Sequence, residues 1–178
     1  MPRSRASPKP LDAAALERLA LRYVERFATT RGKLTAYLTR KIRERGWTGE
    51  AADPAALADR MAAQGYIDDR LYAQSKAAAL ARRGLGARRV SAALREAHVE
   101  EADAEAVAPD IAAREADSAL RFARRRRLGP FGPPAVDRAV REKQLAAMLR
   151  AGHPMTIARR ILSAQNADDI VRELEGMS

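Results

Sequence analysis

Large apolar side chains are scarce in this chain, and that scarcity limits the core it can build. Leu, Ile, Val and Phe together make up 33 of 178 residues, close to the level at which a highly charged chain cannot offset its ordering entropy. The hydrophobic fraction of 47% rests mostly on 40 alanines, which bury little area each. A fold is therefore possible only where the large residues recur with a period, so that each side chain adds to a shared face.

They recur at helical spacing. Leu16, Leu19, Ala20, Tyr23, Val24 and Phe27 mark an amphipathic helix over about 11–28, which Thr30-Arg31-Gly32 breaks. Leu34, Tyr37, Leu38 and Ile42 mark a second helix that Gly46 stops, with Trp47 folding back on its last turn. Asp53-Pro54 opens a third helix, buried through Leu57, Met61 and Ala62 and closed by Gly65. One of Asp68 and Asp69 is expected to cap the next helix, the other to favour its first turn through the helix dipole. That helix runs to Arg82-Arg83, and Gly84-Leu85-Gly86 separates it from one starting near Ala87 with Val90 and Leu94. Residues 101–117 are acidic, with Pro109 expected at a boundary inside them. Gly129 to Pro134 reads as a loop, a helix resumes near Ala135 and ends at Gly152, and His153-Pro154 precedes a last regular helix with Ile157 and Ile161. The tail from Asp168 to Ser178 is expected to be weakly amphipathic through Ile170, Val171 and Leu174.

A pattern repeats along this series. A Gly-containing, often basic break is followed by a short helix with apolar residues four apart, at Leu34/Leu38, Val90/Leu94 and Ile157/Ile161. Leu34 and Val90 are 56 positions apart, Val90 and Ile157 67. The expected fold is all-α, about three tandem helical units with small separate cores. The boundaries expected are a disordered basic tail over 1–10, repeats over 11–64, 65–108 and 109–164, and a helical tail over 165–178.

Several function classes fall away. With no cysteine there is neither a disulfide nor thiolate chemistry. No apolar run approaches the length of a membrane span, and charges at Asp12, Glu17 and Arg18 interrupt any secretory core, so a cytoplasmic protein is expected. His98 and His153 fall at a helix end and in a helix-starting turn and are expected at the surface or as caps. Asp68 and Asp69 project about 100° apart on a helix with no third ligand at helical spacing, which favours a cap over a metal site. Gly84-Leu85-Gly86 lacks the preceding strand of a dinucleotide site. No catalytic residue, metal or cofactor is expected.

The charge is better organised. The chain carries a net +10, and 28 of its 33 basic residues are Arg, which suits bidentate recognition of phosphate or carboxylate. Nine basic residues lie between Arg18 and Arg45 against Glu25 and Glu44, and Arg82, Arg83, Arg88, Arg89 and Arg95 form a stretch with no acid. The last group flanks a glycine turn that could offer backbone N–H groups as well as guanidiniums to an anion. Arg124 to Arg127 either pair with the acidic segment before them or face a partner. Phe27, Trp47, Tyr66 and Tyr72 sit among periodic apolar positions and are expected in the core, which argues against a dedicated single-strand binder.

Gly65-Tyr66-Ile67-Asp68-Asp69, then Leu71-Tyr72-Ala73, Arg83-Gly84-Leu85-Gly86 and Arg89-Val90 with Leu94, resemble the second repeat of the RecX regulatory proteins. Leu34/Leu38 with Arg45-Gly46-Trp47 matches the end of that family's first repeat; Gly129-Pro130-Phe131 and Leu149-Arg150-Ala151-Gly152-His153 match its third. The likeness spans about residues 16–165. It departs at Ala97-His98-Val99, where the family carries Lys-Gly-Val, so the residue closing that helix lacks glycine's freedom. The resemblance implies tandem three-helix repeats in an elongated, curved array. It implies binding in the groove of the RecA recombinase filament on DNA, inhibition of RecA ATPase and strand exchange, and some direct DNA affinity. Arg31, Lys33, Lys41, Arg82, Arg83, Arg88, Arg89 and Arg95 are the expected contacts of a monomeric regulator. Gly65, Tyr66, Asp68, Asp69, Tyr72, Gly84 and Gly86 are expected to serve structure. The glycine-broken helix pair near 84–99 also fits a helix-turn-helix-like DNA-binding protein acting without RecA.

Overall fold

The computed structural model describes residues 9–133 and 137–176, so most of the expected basic tail and the expected helix start at Ala135 lie outside it. The described residues are all-helical, with one isolated bridge between Leu11 and Trp47. None of their helices is long and apolar enough to cross a membrane. They form two compact units: residues up to Tyr72 with Ala97–Glu100, and Ala73–Glu96 with Glu101 onward.

The first unit is built on α1 (Ala13–Arg26), α2 (Arg31–Arg45) and α3 (Pro54–Ala63). Each begins where a side chain can accept an orphan N–H: Asp12 from Ala15 at 2.7 Å, Thr30 from Lys33 at 3.1 Å, Asp53 from Ala56 at 2.9 Å. Gly46, at φ 82°, ends α2. Past α3, Gly65 at φ 83° lets the Tyr66 N–H reach back to the Met61 carbonyl at 3.0 Å. The apolar positions four apart converge as Leu16/Ala20, Leu34/Leu38 and Leu57/Met61, joined by Ile67. Leu11 completes this core: its N–H donates to Gly46 and its carbonyl accepts from Thr48, both at 2.9 Å, holding the side chain fully buried. Burial of one such leucine is worth about 1.5–3 kcal/mol, so a core of few large residues suffices for a unit this small.

The second unit contains the later part of α4 (Asp69–Arg82), then α5 (Ala87–Glu96), α6 (Glu101–Ala113), α7 (Glu115–Arg126), α8 (Arg138–Arg150), α9 (Met155–Ser163) and α10 (Ala167–Glu175). Its main core joins Leu120, Phe122, Leu128, Met148 and Ile161. Ala119, Ala123, Ala151 and Ala158 are buried among them, so alanine fills space between helices rather than only covering surface. Ile170 and Leu174, four apart on α10, also enter this core at 2% and 1% exposure. The tail expected to be weakly amphipathic is in fact strongly so: Asp168, Asp169, Arg172 and Glu173 are exposed while Ile170 and Leu174 are buried.

Pro109 does not mark a boundary. It lies inside α6, and the break falls at Arg114. Its missing N–H removes the bond to the Glu105 carbonyl, and both residues are exposed, so water can serve that carbonyl instead.

Candidate partner-binding site

Arg31 and Lys33 lie at the start of α2 in the first unit, and Arg82, Arg83, Arg88 and Arg89 flank the start of α5 in the second. Lys41 and Arg95 lie toward the ends of those helices, and the two starts are held in the same way. In the first unit, Asp69 at the head of α4 is 5% exposed and accepts the Arg31 backbone N–H at 2.9 Å. The Thr30 hydroxyl donates to the Ala97 carbonyl at 2.5 Å. His98, next in the chain, takes φ 53° and packs on Gly32, where an added Cβ would collide with its Cβ and carbonyl oxygen. In the second unit, Glu115 at the head of α7 is 7% exposed and accepts the Ala87 N–H at 2.6 Å. The Gly86 N–H donates to Ala151 at 2.9 Å, and Arg88 N–H to Gly152 at 3.3 Å. Gly152 takes φ 98°, and a Cβ on Gly86 would stand 2.5 Å from its carbonyl. In both units the first residue of a helix gives its N–H to a buried carboxylate from another helix, and a left-handed residue closes the joint. Arg31 and Ala87 are 56 positions apart, the same offset as Leu34 and Val90.

This geometry corrects two expectations. The helix start after the Gly84–Gly86 turn does not hold its N–H groups out to an external anion, because the Ala151 carbonyl, Glu115 and the Gly152 carbonyl already take those of Gly86, Ala87 and Arg88. A built-in carboxylate satisfies the helix start and its partial positive charge at once. His153 is not at the surface: it is fully buried, with Nδ1 2.6 Å from Glu115 Oε1 and Nε2 3.2 Å from the Gly84 carbonyl. Both ring nitrogens face oxygen acceptors. Sequence spacing could not reveal the pair, since Glu115 and His153 are 38 residues apart.

Of the first-unit basic residues, Arg31 is committed inward: Nε lies 2.7 Å from Asp69, and its other nitrogens lie 3.2 Å from Glu100 and 3.9 Å from Asp59. The Lys33 ammonium donates to the Tyr72 hydroxyl at 3.0 Å. Lys41 holds Glu44 at 2.7 Å, and that hydrogen bond, with the charges of Lys41, Arg40 and Arg43, keeps the Glu44 carboxyl below the usual carboxylate range. Asp68 is the cap of α4, accepting from Leu71 N–H at 2.8 Å.

The second unit presents a different surface. Arg82, Arg83, Arg88, Arg89 and Arg95 are all exposed, and none pairs with an acid among the described residues. Val90 and Leu94 anchor α5 with 1% exposure each, so the arginines stand on a fixed helix. Arg124 to Arg127 are exposed as well and likewise without an acidic partner among the described residues; Arg124 lies over Phe131 and Arg125 over Phe122. Phe27 and Tyr66, expected in the core, are 49% and 50% exposed, while Trp47 and Tyr72 are half-buried. Each of the exposed pair sits just past a helix end, where the chain turns away from the packed face.

No protein-family model matches the chain. Over 172 residues, 90% of this chain and 90% of the relative, it is 33% identical to a protein of Myxococcus xanthus (strain DK1622) named regulatory protein RecX.

Proposed function

The chain belongs to the RecX family of regulatory proteins, and from that premise we propose that it binds RecA recombinase filaments on DNA and restrains their ATP hydrolysis and strand exchange. The observation that carries this reading is the acid-free set Arg82, Arg83, Arg88 and Arg89, exposed around a helix start that the chain's own Glu115 closes, with Arg95 exposed at the other end of the same helix. With the N–H groups taken, recognition falls to the guanidiniums, which suit carboxylates of a protein surface as well as phosphates. Lys33 and Lys41 extend the proposed contacts in the first unit. Arg31 is the weakest of the set, because its guanidinium is already held by Asp69. The recurrence of the same joint at Arg31 and Ala87 supports a tandem-repeat organisation in which each repeat offers a comparable basic helix start.

The test is ATP hydrolysis by RecA on single-stranded DNA. Saturating protein should depress it, and the R88E/R89E double variant should relieve the effect while keeping helical content. Unchanged hydrolysis at saturation refutes the reading. Tight duplex binding without RecA, falling steeply with salt at a slope of about −0.9 per phosphate neutralised, would replace it with a DNA-binding regulator that acts alone.

A further inference from the structure

The second unit carries a cleft that none of the contacts above uses. Its volume is about 830 Å³, and three segments bound it: the Gly129–Gly132 loop, the first two turns of α8, and the second half of α9 with Ala164 and Gln165 after it. Small-molecule sites span about 300–1,000 Å³. The loop is tied to both helices. Gly129, at φ 55°, lies so close to α9 that a Cβ there would stand 2.9 Å from the Ile161 carbonyl oxygen. Its N–H donates to the Gln144 side chain of α8 at 3.3 Å. The cleft therefore exists without a ligand to shape it.

Its floor is apolar and its rim cationic. Leu145 and Leu162 are half-buried and pack against the core of the unit, and Pro130 joins them in the lining. Arg141 on α8 and Arg159 on α9 are exposed, and neither pairs with an acid among the described residues. Glu142 is the acid of the described lining, and Arg138 Nε holds it at 2.8 Å. Arg138, Arg141 and Arg159 against Glu142 leave a net of two positive charges. Two guanidiniums from different helices over one cleft suit the oxygens of a single dianion. A phosphate monoester carries about −1.5 to −2 at neutral pH and matches that surplus, whereas one carboxylate would meet only half of it. The apolar floor adds a second requirement, a flat ring body attached to the anion.

We propose that this cleft binds a soluble organic phosphate of about mononucleotide size, with the phosphate on Arg141 and Arg159 and the ring body on Leu145 and Leu162. Contacts to both α8 and α9 stabilise the unit when the ligand is present. The site uses no residue assigned above to RecA or to DNA, so its success or failure is independent of the regulatory reading.

The experiment uses the full chain and no RecA. AMP, phenyl phosphate and inorganic phosphate are titrated in turn, and backbone amide NMR spectra follow binding residue by residue. The two organic phosphates should saturably shift the amides of Leu145, Leu162 and Ser163. They should bind about tenfold tighter than inorganic phosphate, the effect of covering one ring face with apolar side chains. The R141Q/R159Q double variant should weaken their binding about 10- to 100-fold, through loss of charge-assisted hydrogen bonds. R124Q/R125Q removes the same charge elsewhere in the unit and should leave it unchanged. All of these arginines are exposed, so the fold is spared, and unchanged spectra away from the substitutions verify this. The proposal is overturned if neither organic phosphate binds saturably at millimolar concentration, if inorganic phosphate binds as tightly, or if the two double variants lose binding equally. Oligo(dT) that moves the cleft amides where AMP and phenyl phosphate do not would also overturn it, by making the cleft part of a polymer-binding surface.

Discussion

Removing the Glu115 carboxylate should be among the most damaging changes to the second unit. Glu115 is 7% exposed and accepts two hydrogen bonds at 2.6 Å, from the Ala87 N–H and from His153 Nδ1. In Glu115→Ala both donors stay buried without an acceptor, and each unsatisfied group costs about 1–3 kcal/mol, roughly 2–6 kcal/mol for the two. Glu115→Gln keeps the shape and one acceptor oxygen but turns an amide NH2 toward the other donor, so it should cost about half as much, roughly 1–3 kcal/mol. Urea unfolding followed by circular dichroism measures the difference. At a slope of about 2 kcal/mol per molar, the alanine variant should unfold near 2 M lower in urea. Trp47 lies in the other unit, so its fluorescence should follow that unit and serve as an internal control. Hydrogen exchange gives the local readout: the Ala87 amide should lose protection first. An alanine variant within about 1 kcal/mol of the parent, with the Ala87 amide still protected, would refute the claim that this carboxylate holds the start of α5.

Gly32→Ala should destabilise the first unit by an amount visible in a thermal melt, because its Cβ meets the His98 backbone. His98→Gly alone should raise stability, since a non-glycine residue at φ 53° gives up about 1–2 kcal/mol that glycine's extra entropy loss only partly offsets. Leu174→Ala should cost about 2–5 kcal/mol in urea unfolding, as for a core leucine, although it lies near the end of the chain; a surface-like cost would mean that α10 is not part of the core. The Glu44 carboxyl should titrate below an ordinary glutamate by NMR, and Lys41→Ala should move it back up. A depressed carboxyl contributes its pairing above the unfolded value and loses it as pH falls through the folded one, so the Lys41–Glu44 pair should open only in acid.

Much of the helical series was legible because its signals are local. Asp12, Thr30, Asp53 and Asp68 cap helices from within three residues, and Gly46 and Gly65 end them through their own φ angles. Apolar residues four apart marked the buried sides of α1, α2, α3 and α5. Leu34 and Val90 are as far apart as Arg31 and Ala87, whose N–H groups both go to buried carboxylates. The misplaced residues are those whose surroundings come from elsewhere in the chain. Pro109 looked like a break because proline's cost inside a helix is usually prohibitive, and its solvent-facing position lowers that cost. Phe27 and Tyr66 follow apolar spacing but lie one and three residues beyond the helices that set it.

By itself the sequence determined an all-helical chain whose few large aliphatics support only small cores, and a surplus of positive charge concentrated before residue 100. Tertiary structure alone decided which polar groups are free to meet a partner. The helix start at Ala87 looked open until Glu115, 28 residues away, proved to occupy it, and Arg31 looked available until Asp69, 38 residues away, proved to hold it. Capping and periodicity act within a turn or two of helix, so a sequence displays them directly. Burial and pairing depend on which distant segments meet, and no local spacing encodes that.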